Sequence, residues 1–219
     1  TGNIGGLMTS GPTDPIYDPF IKKTYTQPSH EKAQAYGYTL ANSVIDAFHA
    51  GEFYPSPEPK LNVSALEVEL GIENFMLSLG TLLGIIDSDP KLNFRPPFIR
   101  YLSEVAFIEL GDATITGIPG ELYPEIAVGG IENPQGADYT MAAQEIPHLR
   151  SQLPGKLNLM VNLANDAIGY IIPKSEWDNE APWIYDETDE TYGEVVSLGP
   201  NTGPIIHQNI IKLIEESKD

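Results

Sequence analysis

Gly111-Asp112 separates two runs, Glu104 to Leu110 and Ala113 to Ile118, both rich in apolar and β-branched residues. A glycine at the first position of a two-residue loop supplies the positive φ of a type II′ turn, whose twist matches that of antiparallel strands. The two runs are therefore expected to pair as a hairpin, which rules out a strictly parallel sheet. Further strands are read from alternation. Leu66, Val68, Leu70 and Ile72 alternate with Glu67, Glu69, Gly71 and Glu73, and Leu157, Leu159, Val161 and Leu163 alternate with Asn158, Met160 and Asn162. A period of two predicts half-buried strands at both places.

Between the strands lie helical patterns. Ser29 is placed to cap a helix from His30 to Ala50, on which Tyr36, Leu40, Val44, Ala47 and Phe48 recur at helical spacing and which Gly51 ends. A last helix is expected from Thr202-Gly203-Pro204, with proline in its first turn and Ile206, Ile210, Leu213 and Ile214 on one face. Residues 1 to 28, rich in Gly, Pro, Thr and Asp, read as an ordered loop, and Pro55, Pro57 and Pro59 mark a turn. Strands and helices interleave without strict βαβ repetition and no internal repeat is visible. The expected fold is thus α/β in the broad sense, a mixed α+β arrangement: a mixed sheet with an antiparallel hairpin, flanked by helices. At 219 residues, 41% of them hydrophobic, the chain has enough apolar material for one substantial core, and residues 1–219 are read as a single domain or a large piece of one.

The charge balance narrows the partners. A formal net charge of −19 without any basic cluster repels phosphate backbones, which argues against nucleic acid and favours metal cations. No run of eighteen apolar residues occurs, since the stretch from Phe75 to Ile86 is broken by Ser78, Gly80 and Gly84, so no transmembrane span is expected. The absence of cysteine removes disulfides and thiolate metal sites. Thr1 is preceded by no initiator Met and followed by no apolar signal core, so any targeting segment is expected upstream or removed.

The order Ile115-Thr116-Gly117-Ile118-Pro119-Gly120-Glu121 places a carboxylate just past a buried strand, at an expected helix start, a position that active sites often use. Here the chain resembles the neutral, non-lysosomal ceramidases, in which a strand ending in Pro-Gly-Glu supplies a zinc-binding glutamate. Pro119-Gly120-Glu121 matches that block, and Asn165-Asp166-Ala167-Ile168-Gly169-Tyr170 is similar to the family's stretch ending in a zinc-binding tyrosine. Tyr192, Glu194 and Gly199-Pro200 resemble a third block, whose tyrosine helps to hold the substrate oxygen. The opening Asn3-Ile4-Gly5-Gly6-Leu7-Met8 is similar to the family's Asn-Val-Gly-Asp-Val-Ser, with Met8 where the family has serine, Gly6 where it has aspartate, and the hydroxyls of Thr9 and Ser10 following. After Glu121 the family's Thr-Thr-Met-x-Gly-Arg-Arg gives way to Leu122-Tyr123-Pro124-Glu125-Ile126-Ala127.

The resemblance implies a zinc-dependent hydrolase of an acyl amide, of which this chain is the C-terminal part of the catalytic domain. Glu121 and Tyr170 would be metal ligands, Tyr192 would steady the oxyanion, and Ser10 or Thr9 would be the contacting hydroxyl. The family's two histidine ligands and an arginine would come from an upstream segment of the same protein, because His30, His49, His148 and His207 stand in other contexts. It further implies a ceramide-like, sphingolipid substrate, a secreted, periplasmic or cell-surface location, and peripheral contact with a membrane. Zinc accepts carboxylate and imidazole ligands, and with one position open it acidifies water and polarises a carbonyl. An apolar groove for a fatty amide would draw on Leu7, Met8, Ile16, Tyr17, Phe20, Tyr123 and Trp183.

Each residue also has an ordinary reading. Pro-Gly-Glu serves as a turn into a helix whose dipole favours glutamate, and Tyr170 and Tyr192 fit as packed aromatics with satisfied hydroxyls. The acidic run with Glu176, Asp178, Glu180, Asp186, Glu187, Asp189, Glu190 and Glu194 is compatible with calcium but lacks EF-hand spacing, and reads as a solvated loop. His49 and His148 read as surface or capping residues, and His207 as equally ordinary. Two other functions stay open: a catalytically inactive ceramidase-like binding protein, and a same-fold hydrolase of another small amide or ester.

Overall fold

The computed structural model describes residues 14–51, 60–86, 90–184 and 192–217, which fall into two compact units. Residues 14–51 make the smaller one. Strands β1 (Ile16–Asp18) and β2 (Lys23–Tyr25) pair antiparallel, and α1 (His30–Ala50) packs against β1. The expected loop is therefore a small hairpin over these residues. Its turn is built by the buried Asp18, whose Oδ1 accepts the Phe20 and Ile21 N–H groups, with Lys22 at φ +54. Helix α1 runs between the residues expected: the Ser29 hydroxyl accepts the Lys32 N–H, and Gly51 closes the helix at φ +67. Phe20 meets Tyr38 edge to face at 4.6 Å.

The larger unit is organised by a five-stranded mixed sheet of β3 (Leu61–Gly71), β4 (Lys91–Leu92), β5 (Ile99–Leu110), β6 (Ala113–Gly117) and β8 (Leu157–Val161), in the order β3-β5-β6-β8 with β4 also on β5. β5 and β6 form the antiparallel hairpin across Gly111, which holds φ +60, and β6 and β8 run parallel. One face carries Val68, Leu70, Val105, Phe107 and Met160 into a core closed by α5 (Thr202–Glu216), whose Ile206, Ile210, Leu213 and Ile214 are buried. On β8 it is thus the Met160 side that faces inward. Leu157 and Leu159 belong to the other face, where Val63, Ile108, Ile115 and Leu159 are in register across four strands, followed by Leu61, Leu110, Ala113 and Leu157. That face is open, with Val63, Leu61, Leu110, Leu157 and Leu159 all exposed.

A helix not expected from the sequence, α2 (Phe75–Leu82), forms because the Asn74 side chain accepts the Met76 and Leu77 N–H groups, and Gly84 at φ +66 ends it. Its pattern was hidden because apolar residues lie on all sides of it, Leu77 packed on the core and Phe75, Met76, Leu79 and Leu82 exposed. Among the described residues no helix is long and apolar enough to cross a membrane.

Candidate functional site

Beyond β6 the chain does not enter a helix directly. Glu121 and Leu122 form a two-residue strand, β7, which pairs in parallel with β9 (Tyr170–Ile171), and α3 (Pro124–Val128) starts only afterwards, with Pro124 in its first turn. The expectation of Glu121 at a helix start is corrected by this ladder: the Glu121 N–H donates to Gly169 O and the Tyr123 N–H to Ile171 O. The approach is close. A Cβ on Gly120 would lie 2.5 Å from Gly169 O and 2.8 Å from Ile168 Cγ1, so only glycine fits before the glutamate.

Register decides which side chains meet. Glu121 is the direct partner of Tyr170, and Leu122 of Ile171. Leu122 and Ile171 are fully buried in the core, so Glu121 and Tyr170 share the opposite face, with Tyr123 two residues along. The Tyr123 and Tyr170 rings lie 5.9 Å apart at 77°. Tyr192 begins the short helix α4 (Tyr192–Val195) and brings its ring to 5.9 Å from that of Tyr170, at 70°, while remaining 72% exposed. Three of the residues singled out in the sequence are therefore neighbours. Thr9 and Ser10, with Leu7 and Met8, lie outside the described residues. Ile16, Tyr17 and Phe20 belong to the smaller unit, and Tyr123 stands at this cluster.

The frame behind the cluster is held by hydrogen bonds. Tyr170 donates its N–H to Val196 O and accepts at its carbonyl from the Ser197 hydroxyl at 2.8 Å. Asn74 donates to the carbonyls of Val195 and Ser197, so the cap of α2 also fixes the segment after α4. Upstream of Tyr170, Asp166 accepts the Tyr101 hydroxyl at 2.9 Å and the Ser103 hydroxyl at 2.8 Å, tying the β8–β9 loop to β5. Asn165 adopts φ +71 and donates to Glu104.

Electrostatics complete the description. The Glu121 Oε2 atom is buried and has no hydrogen-bond partner among the described residues. Burial pushes the Tyr170 phenol above its ordinary pKa, reinforced by the Glu121 charge, by Tyr192 and by a hydrogen-bonding interaction with Glu121. Burial likewise raises Tyr123, helped by the charge of Glu194. The cluster is a carboxylate with one oxygen free of partners among the described residues, faced by the Tyr123 and Tyr170 phenols, whose raised pKa values keep them neutral at physiological pH. Such a set accepts a cation at the carboxylate and offers O–H donors to an anionic oxygen. Among the described residues no group of three or more His, Asp or Glu side chains is arranged to hold a metal ion by itself.

Several polar residues differ from their sequence reading. Glu176 is half-buried and Asp178 and Glu194 are buried, so this part of the acidic run is not a solvated loop; Asp186, Glu187, Asp189 and Glu190 lie outside the described residues. Asp178 is in the interior because its Oδ2 accepts the Ile184 N–H, and Glu194 because it accepts the Asp178 N–H. His207 is also a core residue, its Nε2 at 2.8 Å from Pro147 O and its Nδ1 buried without a hydrogen-bond partner among the described residues. Glu145, fully buried, accepts the N–H groups of Gln144 and Lys174 and was given no role by the sequence reading. No periodicity marks such a residue, since its partners are backbone groups of distant loops.

No family model matches the chain, and no curated protein matches it. Among solved structures it is similar to the crystal structure of neutral ceramidase from Pseudomonas aeruginosa, at 12% identity and a TM-score of 0.36. The match covers 72% of this chain and 29% of that one, so the chain spans less than a third of that structure's length.

Proposed function

We propose that this chain contributes part of the active site of a zinc-dependent hydrolase of acyl amides, with Glu121 and Tyr170 as its metal ligands and Tyr192 as an oxyanion donor. One observation carries the reading: Glu121 and Tyr170, distant in sequence, are direct partners across the β7–β9 ladder, and the buried Glu121 Oε2 has no hydrogen-bond partner among the described residues. A buried carboxylate oxygen is costly to leave unmade, and a cation is the partner that its charge favours. Two in-chain ligands are fewer than a zinc site takes from protein, and the resemblance implies imidazoles from a segment upstream as the others.

Zinc bound there supplies Lewis-acid activation of water and of an amide carbonyl. The chain's own residues divide the remaining work. Glu121 presents its free oxygen, fixed by the backbone ladder on both sides. The Tyr170 phenol would stand beside Glu121 as the second ligand, and Tyr192, open to solvent next to it, would donate its O–H to an oxygen that gains charge. Ceramide-like lipid is the proposed substrate class.

Metal analysis of the full-length protein tests this. Wild type is expected to hold one zinc per chain, and Glu121→Gln, which keeps the size but loses the charge, to lose most of it. Tyr170→Phe should bind zinc more weakly, and zinc should raise the melting temperature of wild type but not of Glu121→Gln. Equal zinc content in wild type and Glu121→Gln refutes the assignment.

A further inference from the structure

We propose that Tyr123 is a positioning residue of this site: its hydroxyl seats against Gly193 at the start of α4 and so fixes where Tyr192 stands beside Tyr170. For what Tyr192 does, the inference rests on the hydrolase reading. For where Tyr192 stands, it rests on packing alone.

Tyr192 opens a helix of four residues, too short to be stable by its own hydrogen bonds, and its side chain is 72% exposed. The hydrogen bonds that anchor α4 lie downstream of it. Asn74 donates to the carbonyls of Val195 and Ser197, and the Glu194 carboxylate accepts the Asp178 N–H at 3.1 Å. At the Tyr192 end, the helix meets the Tyr170 ring, 5.9 Å from that of Tyr192, and Tyr123 under the next residue, Gly193.

The contact at Gly193 is shown by what would not fit there. A Cβ on Gly193 would run into the Tyr123 hydroxyl oxygen, with Ile172 Cδ1 at 3.2 Å and Tyr123 Cζ at 3.5 Å. Gly193 is buried and does not take a positive φ, so space and not backbone conformation calls for glycine. Tyr123 is itself well held. Its N–H donates to Ile171 O, Pro124 follows it in the first turn of α3, and its ring meets that of Tyr170 edge to face at 77°. Tyr170 in turn meets Tyr192 at 70°, so the three rings form one edge-to-face series. Burial raises the Tyr123 phenol above its ordinary pKa, and the hydroxyl stays a neutral spacer against Gly193.

Placement matters because an oxyanion donor works at about 3 Å from the oxygen that gains charge, and a displacement of about 1 Å can cost about a hundredfold in rate. The proposed metal ligands do not depend on this contact, since Glu121 and Tyr170 are set by the β7–β9 ladder. A fault between Tyr123 and Gly193 should therefore lower kcat and spare zinc. A side chain that only filled the core would lower stability and leave Tyr192 where it is.

The test uses full-length protein labelled with 3-fluorotyrosine, the Tyr192 resonance being assigned by its loss in Tyr192→Phe. Gly193→Ala is expected to shift that resonance and to lower kcat on a hexanoyl anilide at least about tenfold, with zinc content as in wild type. Adding Tyr123→Phe removes the oxygen that the alanine methyl meets; the double variant should return the resonance toward its wild-type position and bring kcat to within about threefold of wild type. Tyr123→Leu, which takes away ring and hydroxyl together, should shift and broaden the resonance, and it decides the matter if Gly193→Ala does not fold. The proposal is overturned if the Tyr192 resonance is unmoved in the deciding variant, if the double variant is no better than Gly193→Ala, or if zinc is lost in step with kcat. Wild type that hydrolyses no amide would sink the hydrolase reading by itself, and the fluorine resonance would still decide the placement of Tyr192.

Discussion

Replacing Asp166 by alanine tests whether the β8–β9 loop, and with it Tyr170, is latched to the sheet. Asp166 accepts three hydrogen bonds: from the Tyr101 hydroxyl at 2.9 Å, from the Ser103 hydroxyl at 2.8 Å and from the Ala167 N–H at 2.8 Å. The Tyr101 phenol is pushed up to about 12 by burial and by this bond to the carboxylate, consistent with a donor that keeps its proton. Hydrogen bonds to a charged group are each worth roughly 1.5–3 kcal/mol, and the half-buried setting places these at the low end, so losing the two hydroxyl bonds should cost about 3 kcal/mol. For a chain of this size that is a fall in Tm of roughly 6–12 °C. Urea unfolding provides the assay, run as a cycle with Tyr101→Phe, for which a loss of about 1 kcal/mol is expected. Because Tyr101 and Asp166 share one bond, the double variant should be less destabilised than the sum of the singles by about 1 kcal/mol. An Asp166→Ala loss under about 0.5 kcal/mol, or additive singles, would refute the latch.

Three further outcomes are expected. Glu176 is raised to about 7, first by burial and then by the charges of Glu125, Glu132 and Glu145, so the stability linked to its protonated form is present below pH 4.5 and lost as pH rises through about 7; Glu176→Gln should therefore stabilise the protein at pH 8 and have little effect near pH 4, as read from urea midpoints. His207 is lowered below 6.5, mainly by burial, so the fold prefers it neutral and loses stability as pH drops through 6.5; His207→Gln, able to keep the bond to Pro147 O, should flatten the stability profile between pH 7.5 and 5. Gly169, at φ +85 and with a built Cβ running into the Val196 carbonyl, should tolerate alanine at a cost of about 3 kcal/mol or more, whereas Gly51, left-handed but in open space, should cost only about 1 kcal/mol. Thermal melts of the two variants compare them directly.

The cluster around Tyr170 was legible in part. Resemblance of short blocks singled out Glu121, Tyr170 and Tyr192, and the fold brings all three together, although Glu121 lies on a strand and not at a helix start. Asp166, Glu145 and His207 were not legible as structural anchors, since each gains its meaning from partners in other loops. Helix α2 escaped because periodicity needs a polar face to contrast with an apolar one, and its residues are apolar on both the core side, with Leu77, and the solvent side, with Phe75, Met76 and Leu82.

What the amino-acid order determined alone was local. Gly111 set the β5–β6 hairpin, Ser29 and Gly51 bounded α1, and the spacing of Ile206, Ile210, Leu213 and Ile214 chose the buried face of α5, because turns, caps and amphipathic faces depend on residues a few positions apart. Tertiary structure decided the rest. Which face of β8 turned inward, which carboxylates were taken from water and which tyrosine stood opposite Glu121 were fixed by pairing between segments far apart in the chain. Register is a long-range property, and a shift of one residue would have turned Glu121 into the core and Leu122 out of it.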